Sequence, residues 1–348
     1  MRIATYNIEW FNALFDDAGN LIEDHKWSSR YNVRRIDQII ALGIVFTALD
    51  ADAVMVIEAP DQNGKRSTVS ALENFAARFD LRARQAVMGF ENDTQQEIAL
   101  LYDPDKLTAR HDPISAPTGV RGGDVPDIAP RFDGAFHIDL DIDADEDVVR
   151  FSKPPLELAM QTKDGFAFRM IGAHLKSKAP HGARNDNEVM QISIANRRKQ
   201  LAQAIWLRRR INGHLEAGEP LILLGDLNDG PGLDEYEDLF GRSSIEIVMG
   251  DSAGAGESAC LHDPHARMAL RRRLGAAPTS ARFYIDTTKS YLQALLDYIM
   301  VSPDLAARAP EWRIWHPFDD PKCWAVPELR DALITASDHF PVTLDIDL

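Results

Sequence analysis

Residues 221–228 read Leu-Ile-Leu-Leu-Gly-Asp-Leu-Asn, and this stretch carries both a structural and a chemical signal. The apolar run Leu221–Leu224 has the length and composition of a buried strand. Asp226 and Asn228 follow it directly, so the predicted strand would fix two polar side chains at its end. Taken alone, these two residues would indicate only a turn, because Asp and Asn are common turn formers.

The same arrangement of an apolar segment beside polar residues recurs along the chain. The other examples are Asn7 and Glu9 after Arg2–Ile8, Glu58 after Ala53–Ile57, His174 after Phe166–Ala173, Asp297 within Leu296–Val301, and Asp338 with His339 before Val342–Ile346. One polar strand end is commonplace, but a repeated set of acids, amides and histidines needs a joint explanation. We predict that these residues face one cleft, with the strands fixing their positions.

Apolar residues at helical spacing alternate with the predicted strands. The pattern predicts helices over Arg34–Leu49, from about Val69 to Phe79, and from about Glu188 to Gly213. This alternation is typical of the α/β class. No repeat or linker divides the chain, and the polar strand ends come from both halves, so we predict one domain over residues 1–348. Acidic and apolar residues alternate over Phe136–Val149, which predicts one strand with a solvated acidic face.

Composition limits the classes of function. The 348 residues carry a net charge of −16, whereas a protein that holds DNA mainly by its overall charge should be basic. The acidity counts against a tight non-specific grip on duplex DNA, but bound cations can offset local carboxylates, so a nuclease is not excluded. No stretch approaches the roughly 20 apolar residues of a membrane span. The N-terminus lacks signal-peptide features and the two cysteines form no C-x-x-C motif, so we expect a cytoplasmic protein without a thiolate zinc site.

The polar residues have a definite chemistry as a group. Carboxylate and amide oxygens without thiolates favour a hard cation, so we predict Mg²⁺, or Mn²⁺ in its place, rather than Zn²⁺. Such a cation makes a phosphoryl group more electrophilic, and imidazoles neutralise charge in the transition state. An aspartate beside the metal can orient or deprotonate an attacking water. The set therefore predicts metal-assisted hydrolysis of a phosphoester.

The strand-end motifs also carry a family resemblance. Thr5–Trp10, Val56–Ala59, Gly225–Asn228, Leu296–Ile299 and Ser337–Val342 resemble, in this order, the motifs of the endonuclease/exonuclease/phosphatase superfamily, in its deoxyribonuclease-like bacterial branch. The resemblance implies a four-layer α/β/β/α sandwich in which two central mixed sheets pack face to face with helices outside. It also implies Mg²⁺-dependent hydrolysis by water without a covalent enzyme intermediate.

The resemblance implies a role for each matching residue near the metal. Glu58 would be the principal ligand. The residues that would hold or adjoin the metal are Asn7, Glu9, Glu58 and Asp338. Asp226 would orient or deprotonate the nucleophilic water, and Asn228 would hold that water or the phosphate.

Further roles concern the phosphate and the rest of the substrate. His339 would contact the scissile phosphate, with Asp297 hydrogen-bonded to its other nitrogen. His174 resembles a second catalytic histidine, and Glu97 occupies a place comparable to its glutamate partner. The predicted substrate contacts are Lys153, which stands where related sequences often have arginine, Trp10 beside the first motif, and Lys176. Lys176 could equally solvate a loop, and the sequence leaves that alternative open.

The substrate is less well indicated than the reaction. The histidine pair and Glu97 favour a nucleic-acid phosphodiester, and no obligate protein partner is implied. The alternative is a non-nucleic-acid phosphoester, such as a small phosphorylated metabolite, a phosphoinositide or a phospholipid head group. Residues 104–165 contain no tyrosine, which argues against the DNA-repair role of the AP-endonuclease branch. A binding module without catalysis would have lost a metal ligand or a histidine, and every one of these residue types is present.

Overall fold

The structure is a computed structural model that describes residues 1–115, 129–138, 147–180, 182–230, 241–251, 259–271, 277–285 and 289–348. The strands are β1 Arg2–Asn7, β2 Ala53–Pro60, β3 Gln85–Met88, β4 Gln96–Tyr102, β5 Leu107–His111, β6 Phe136–Ile138, β7 Asp147–Val149, β8 Leu156–Thr162, β9 Ala167–His174, β10 Leu221–Asp226, β11 Ala281–Ile285, β12 Ser290–Ala294, β13 Asp297–Val301, β14 Glu311–Ile314 and β15 Val342–Asp345. The helices are α1 Arg35–Leu49, α2 Thr68–Arg78, α3 Asp186–Glu216, α4 Ser244–Met249, α5 Pro264–Leu270, α6 Pro303–Ala306, α7 Pro321–Trp324 and α8 Pro327–Ala336, with a 3₁₀ helix at Phe11–Leu14.

Most of the strands form two mixed sheets. The first sheet has the order β14-β15-β1-β2-β4-β3, and the second has the order β13-β10-β9-β8-β5. At the centre of the first sheet, β1 pairs parallel to β2 and antiparallel to β15. The centre of the second repeats this arrangement, because β10 pairs parallel to β9 and antiparallel to β13. The prediction of two mixed sheets is confirmed.

Successive side chains of a strand face different layers of the fold. Met55 and Ile57 on β2 pack in one buried cluster with Met170 and Ile222 of the second sheet. The sheets approach so closely that a Cβ atom added at Gly172 would lie 2.4 Å from Sδ of Met55. Since side chains alternate along a strand, Val54 and Val56 must face the opposite side.

Helices cover the outer faces of both sheets. Val54 and Val56 share a buried cluster with Leu42 of α1, Phe75 of α2 and Leu333 of α8. On the second sheet, Ile171 and Leu223 pack in a cluster with Trp206 of α3 and Val248 of α4. The layer order is therefore helix, sheet, sheet, helix, as predicted.

One predicted element is wrong. The stretch 136–149 does not form one strand, because β6 and β7 pair antiparallel to each other, with Phe136 opposite Val149. Two segments that pair antiparallel with each other are separate strands, so alternation of acidic and apolar residues did not indicate a continuous strand. Residues 139–146 lie outside the described residues.

The longest helix extends slightly beyond its predicted ends. α3 begins at Asp186, where the side chain of Asn185 accepts a hydrogen bond from the backbone N–H of Glu188 at 3.0 Å, an N-cap that satisfies a free backbone donor. It ends at Glu216 and spans 31 residues. In the described part of the chain, neither this helix nor any other combines the length and the apolar character needed to cross a membrane.

Candidate active site

The ends of β1, β2, β9 and β10 and the start of β13 meet at one edge of the two sheets. In the first sheet, Asn7 pairs with Ile57, the residue before Glu58. In the second, Asp226 pairs with His174 on one side and with Asp297 on the other. Nδ2 of Asn7 donates to Oδ2 of Asp226 at 2.9 Å, and this hydrogen bond connects the two sheets. Strand pairing and an inter-sheet hydrogen bond therefore bring residues from both halves of the chain together.

A cavity of about 1030 Å³ opens over these strand ends. Apart from Glu97 and Asp297, every residue predicted for the site lines it. These residues are Asn7, Glu9, Trp10, Glu58, Lys153, His174, Lys176, Asp226, Asn228, Asp338 and His339. Asp297 is buried and contacts His339, as predicted, whereas Glu97 has other partners.

Unusual backbone conformations aim several of these side chains. Trp10, Glu58 and Asn228 have φ angles of 57°, 62° and 50°, in the left-handed region that non-glycine residues rarely adopt. The register of β2 against β4 shifts at Glu58, so this residue occupies a β-bulge, a feature that redirects a side chain. Gly225 has a φ of 138°, and a Cβ atom there would lie 2.0 Å from the carbonyl oxygen of Ala173. Only glycine therefore allows β10 to approach β9 so closely just before Asp226.

Asn7, Glu58 and Asp338 present one amide and two carboxylates to the cavity. Oδ1 of Asn7 is buried and has no hydrogen-bond partner among the described residues. A buried acceptor without a partner is costly, and a cation would satisfy it. Burial raises the pKa of Glu58, while Lys153, 3.8 Å from Oε1, opposes that shift; a bound cation would further favour the ionised carboxylate. This set of oxygen atoms fits Mg²⁺.

Glu9 differs from the other residues predicted beside the metal. Its carboxylate forms an ion pair with Arg30, whose Nη2 also donates to the carbonyl oxygen of Ile334 at 2.9 Å. The backbone N–H of Glu9 donates to Oγ of Ser337 at 3.1 Å. Glu9 thus lines the cavity beside the other acids, but a guanidinium already balances its charge.

Asp226, Asp297 and His339 each place an atom within 4.8 Å of the others, a spacing that a metal could use. However, Nδ1 of His339 lies 2.8 Å from Oδ2 of Asp297, and Oγ of Ser280 donates to the same oxygen at 2.8 Å. Burial alone would lower the pKa of His339, but Asp297 and Asp226 together raise it to about 10. Nδ1 of His339 is already engaged by Asp297, so we interpret these residues as a hydrogen-bonded group in which His339 is a charged donor.

Asp226 has the properties of a general base. Oδ1 accepts from the backbone N–H of Asn228 at 2.7 Å, and Oδ2 accepts from Nδ2 of Asn7 and, at 3.2 Å, from Nδ2 of Asn228. Burial raises the pKa of Asp226 to about 7, although His339 opposes the shift. A carboxylate that titrates near neutral pH is well matched to accept a proton from water.

His174 does not have the partner that the sequence predicts. Nδ1 of His174 lies 3.3 Å from Nζ of Lys153, and Nε2 lies 3.6 Å from Oδ2 of Asp226. Glu97 instead accepts from Nδ2 and the backbone N–H of Asn92, at 2.6 and 3.4 Å. The structure therefore does not bring Glu97 to His174. The reason is the alternation of β4, because Gln96 faces the cavity and donates to Glu58, so its neighbour Glu97 faces away.

A model of the endonuclease/exonuclease/phosphatase family matches residues 4–339, a range that includes every residue predicted for the site. The chain belongs to this family. No curated protein sequence is significantly similar to it.

The solved structures that are similar to this member of the family are distant from it in sequence. The 3′ phosphatase NExo from Neisseria, bound to a product DNA hairpin, is 16% identical, with 100% of each chain covered and a TM-score of 0.49. An AP endonuclease from Archaeoglobus fulgidus is 12% identical, with 100% of each chain covered and a TM-score of 0.48. A mannosyl-6-phosphatase from Bacteroides thetaiotaomicron is 15% identical, with 100% of each chain covered and a TM-score of 0.46. The family assignment rests on the family model.

Several residues that line the cavity of this family member, or that hold its lining residues, were not predicted. Gln96 contacts Glu58, and alternation along β4 could have identified it once Glu97 was considered. Ser280, which holds Asp297, and Arg30, which holds Glu9, lie outside the motifs and carry no signal in a single sequence. The hairpin β11–β12 adds an apolar wall through Phe283, Ile285, Leu292 and Ala294. These residues occupy alternate positions of the two strands, but the strands themselves were not predicted.

Lys176 and Trp10 line the cavity at positions open to solvent. The backbone N–H of Lys176 donates to Oε1 of Gln203 at 2.8 Å, and its carbonyl accepts from Nε2 of Gln200 at 2.9 Å. Both glutamines belong to α3, so this helix fixes the loop that carries Lys176. Trp10 is 42% exposed, which leaves its indole accessible to a substrate in the cavity.

Proposed function

We propose that this protein is a divalent-metal-dependent phosphoester hydrolase in which Mg²⁺ is the natural ion and water the nucleophile. The observation that carries the proposal is that only one of the two polar atoms in the side-chain amide of Asn7 has a hydrogen-bond partner among the described residues. Its Nδ2 holds Asp226, whereas its buried Oδ1 has no partner among the described residues. This is the arrangement expected of a residue shared between a general base and a cation. It links Asp226 to the acids beside Asn7 at the other side of the cavity.

The residues divide the chemistry between them. Glu58, Asp338 and Oδ1 of Asn7 would hold Mg²⁺, with Glu9 nearby, and the ion would neutralise charge on a phosphoryl oxygen. Asp226 accepts the proton of the attacking water, and Asn228 keeps the Asp226 carboxylate in place. His339, charged through its contact with Asp297, donates to the phosphoryl oxygen that becomes more negative in the transition state. These functions need residues of both sheets, so we propose that residues 1–348 form one domain.

For the substrate, we propose a phosphodiester of nucleic acid. The cavity is large enough for more than a phosphate, and the half-exposed Trp10 offers a surface on which a base could stack. A small phosphorylated metabolite is the second candidate, because the net charge of −16 disfavours long polyanions.

A panel of substrates tests both levels of the proposal. Single-stranded DNA, duplex DNA, RNA, bis-p-nitrophenyl phosphate and p-nitrophenyl phosphate are each incubated with Mg²⁺, Mn²⁺ or EDTA. We expect metal-dependent cleavage of polynucleotide and diester that is lost in Asp226→Asn. Cleavage of the monoester alone would indicate that the protein is a phosphatase and not a nuclease. Activity that persists in EDTA, or in Asp226→Asn, would contradict the proposed chemistry itself.

A further inference from the structure

Lys153 connects two parts of the site that the proposed roles leave separate. It directly precedes Pro154 and Pro155, and its side chain is only 16% exposed. Nζ lies 3.8 Å from Oε1 of Glu58 and 3.3 Å from Nδ1 of His174. Lys153 therefore contacts a proposed metal ligand with one side of its ammonium group and a histidine with another.

The contact with His174 constrains where the imidazole carries its hydrogen. While Lys153 is an ammonium group it has donors and no acceptor, so Nδ1 of His174 accepts in this contact. In a neutral ring that accepts at Nδ1, the hydrogen is on Nε2. Burial first, and Lys153 second, lower the pKa of His174 well below its usual value, which agrees with a neutral ring.

The position of Nε2 gives this hydrogen a direction. Nε2 lies 3.6 Å from Oδ2 of Asp226, which is longer than a hydrogen bond. His174 lines the cavity, so the N–H is directed into the space beside the general base. A phosphoryl oxygen of a substrate attacked by water at Asp226 would occupy that space.

We propose that Lys153 is a positioning residue that donates to Nδ1 of His174, fixes its Nε2-protonated neutral tautomer and thereby makes His174 a neutral hydrogen-bond donor to the phosphoryl oxygen. The last part rests on the proposed function, whereas the tautomer does not. The proposal differs from the role predicted from sequence, in which Lys153 itself binds the phosphate. It also removes the need for a carboxylate partner such as Glu97.

The tautomer is measured directly by NMR. Protein labelled with ¹⁵N-histidine is recorded in long-range ¹H–¹⁵N spectra near neutral pH, with and without Mg²⁺, and His174→Gln assigns the signal. We expect a neutral ring protonated on Nε2 in the wild-type protein. An Nδ1-protonated ring or an imidazolium in the wild type would overturn the proposal, whether or not the protein hydrolyses any phosphoester.

Substitutions at Lys153 test the cause. Lys153→Met keeps the length of the side chain and removes the donor, so the Nε2 tautomer should give way to a mixture with the Nδ1 form. Lys153→Arg keeps a donor and should restore the wild-type spectrum. If the Nε2 tautomer persists unchanged in Lys153→Met, Lys153 does not fix it and the proposal fails.

A double-mutant cycle separates positioning from direct phosphate contact. If Lys153 acts through His174, Lys153→Met should lower kcat by about 10-fold in the wild type but hardly at all in His174→Gln. If it binds the phosphate itself, the two losses should multiply and KM should rise, which would overturn the proposal. The substrate is whichever compound the panel above shows to be cleaved. The NMR result stands independently if none is cleaved, so failure of the proposed function and failure of this inference are distinguishable.

Discussion

His339 and His174 present the same ring nitrogen to the same carboxylate oxygen, but their other nitrogens meet groups of opposite charge. Nε2 lies 3.9 Å from Oδ2 of Asp226 in His339 and 3.6 Å in His174, and each side chain is 7% exposed. Nδ1 faces Asp297 in His339 and Lys153 in His174. The two pKa values move in opposite directions, to about 10 for His339 and well below the usual value for His174. Burial is equal, so the charged neighbours, chiefly Asp297 for His339 and Lys153 for His174, account for the difference between the two pKa values.

The carboxylate that both histidines face should matter most. Asp226→Asn removes the proposed general base and keeps a similar volume, so we expect kcat to fall by about 10,000-fold, the upper range for loss of acid–base catalysis. The fold should be retained, which circular dichroism and thermal unfolding would check. If the variant keeps a tenth of the wild-type kcat, Asp226 is not the general base.

His339→Ala should have the next largest effect. It removes a charged donor from the cavity, for which we expect a loss of about 1000-fold in kcat. His25→Ala, at an exposed histidine outside the cavity, is the matched control and should keep full activity. Equal rates for His339→Ala and the control would contradict the proposed role.

His174→Ala should cost less than His339→Ala, because hydrogen bonds from neutral groups are weaker than those from charged ones. We expect a loss of about 10- to 100-fold in kcat. The ratio between the two histidine variants is the direct test of the comparison. A loss at His174 equal to or greater than that at His339 would show that charge does not distinguish them.

Glu97→Gln should leave kcat within about threefold of the wild type, because Glu97 is not joined to His174. Its effect should appear in stability, since burial raises the pKa of Glu97 from 4.5 to about 7. The folded protein therefore holds a proton that the unfolded chain releases, and the stabilisation present below pH 4.5 is lost as the pH rises through about 7. Gln resembles the protonated acid, so urea unfolding at low and neutral pH should show less loss of stability in the variant, by on the order of 2 kcal/mol.

The opposite result for Glu97→Gln would contradict the comparison of the two histidines. A fall in kcat as large as that of His174→Ala would restore the histidine–glutamate pair predicted from sequence. The comparison of the two histidines would then be between two carboxylate partners, and the role assigned to Lys153 would be wrong.

Short, regular patterns in the sequence predicted the α/β class and the strand ends that carry most of the site, whereas the four layers were implied by the family resemblance. Apolar runs such as Leu221–Leu224 identified strands, and the polar residues after them marked the edge where the strands meet. The pair of His339 and Asp297 followed from the order of the motifs. Each of these signals is local, or is a resemblance between whole motifs.

What the sequence could not supply depends on register and on loops. The neighbours Gln96 and Glu97 are both polar, and only the pairing of β2 with β4 decides which one faces the cavity. Lys153 precedes a pair of prolines outside regular structure, so no periodicity places it against His174. The antiparallel pairing of β6 with β7 was also hidden, because alternation of residue types does not show where one strand ends and its partner begins.

The left-handed backbone at Glu58 and Asn228 makes these positions informative about evolutionary history. A non-glycine residue in that conformation is disfavoured by about 1 kcal/mol relative to glycine, and Asn by less, so selection for stability alone would favour glycine above all at Glu58. Selection for hydrolysis opposes this exchange, because glycine has neither a carboxylate nor an amide. A descendant of this chain that no longer needs its reaction should therefore gain glycine first at Glu58 and later at Asn228, while Gly225 and the packed sheets stay unchanged. Glycine at positions 58 and 228 would therefore mark, in sequence data alone, a relative that has lost its hydrolase activity.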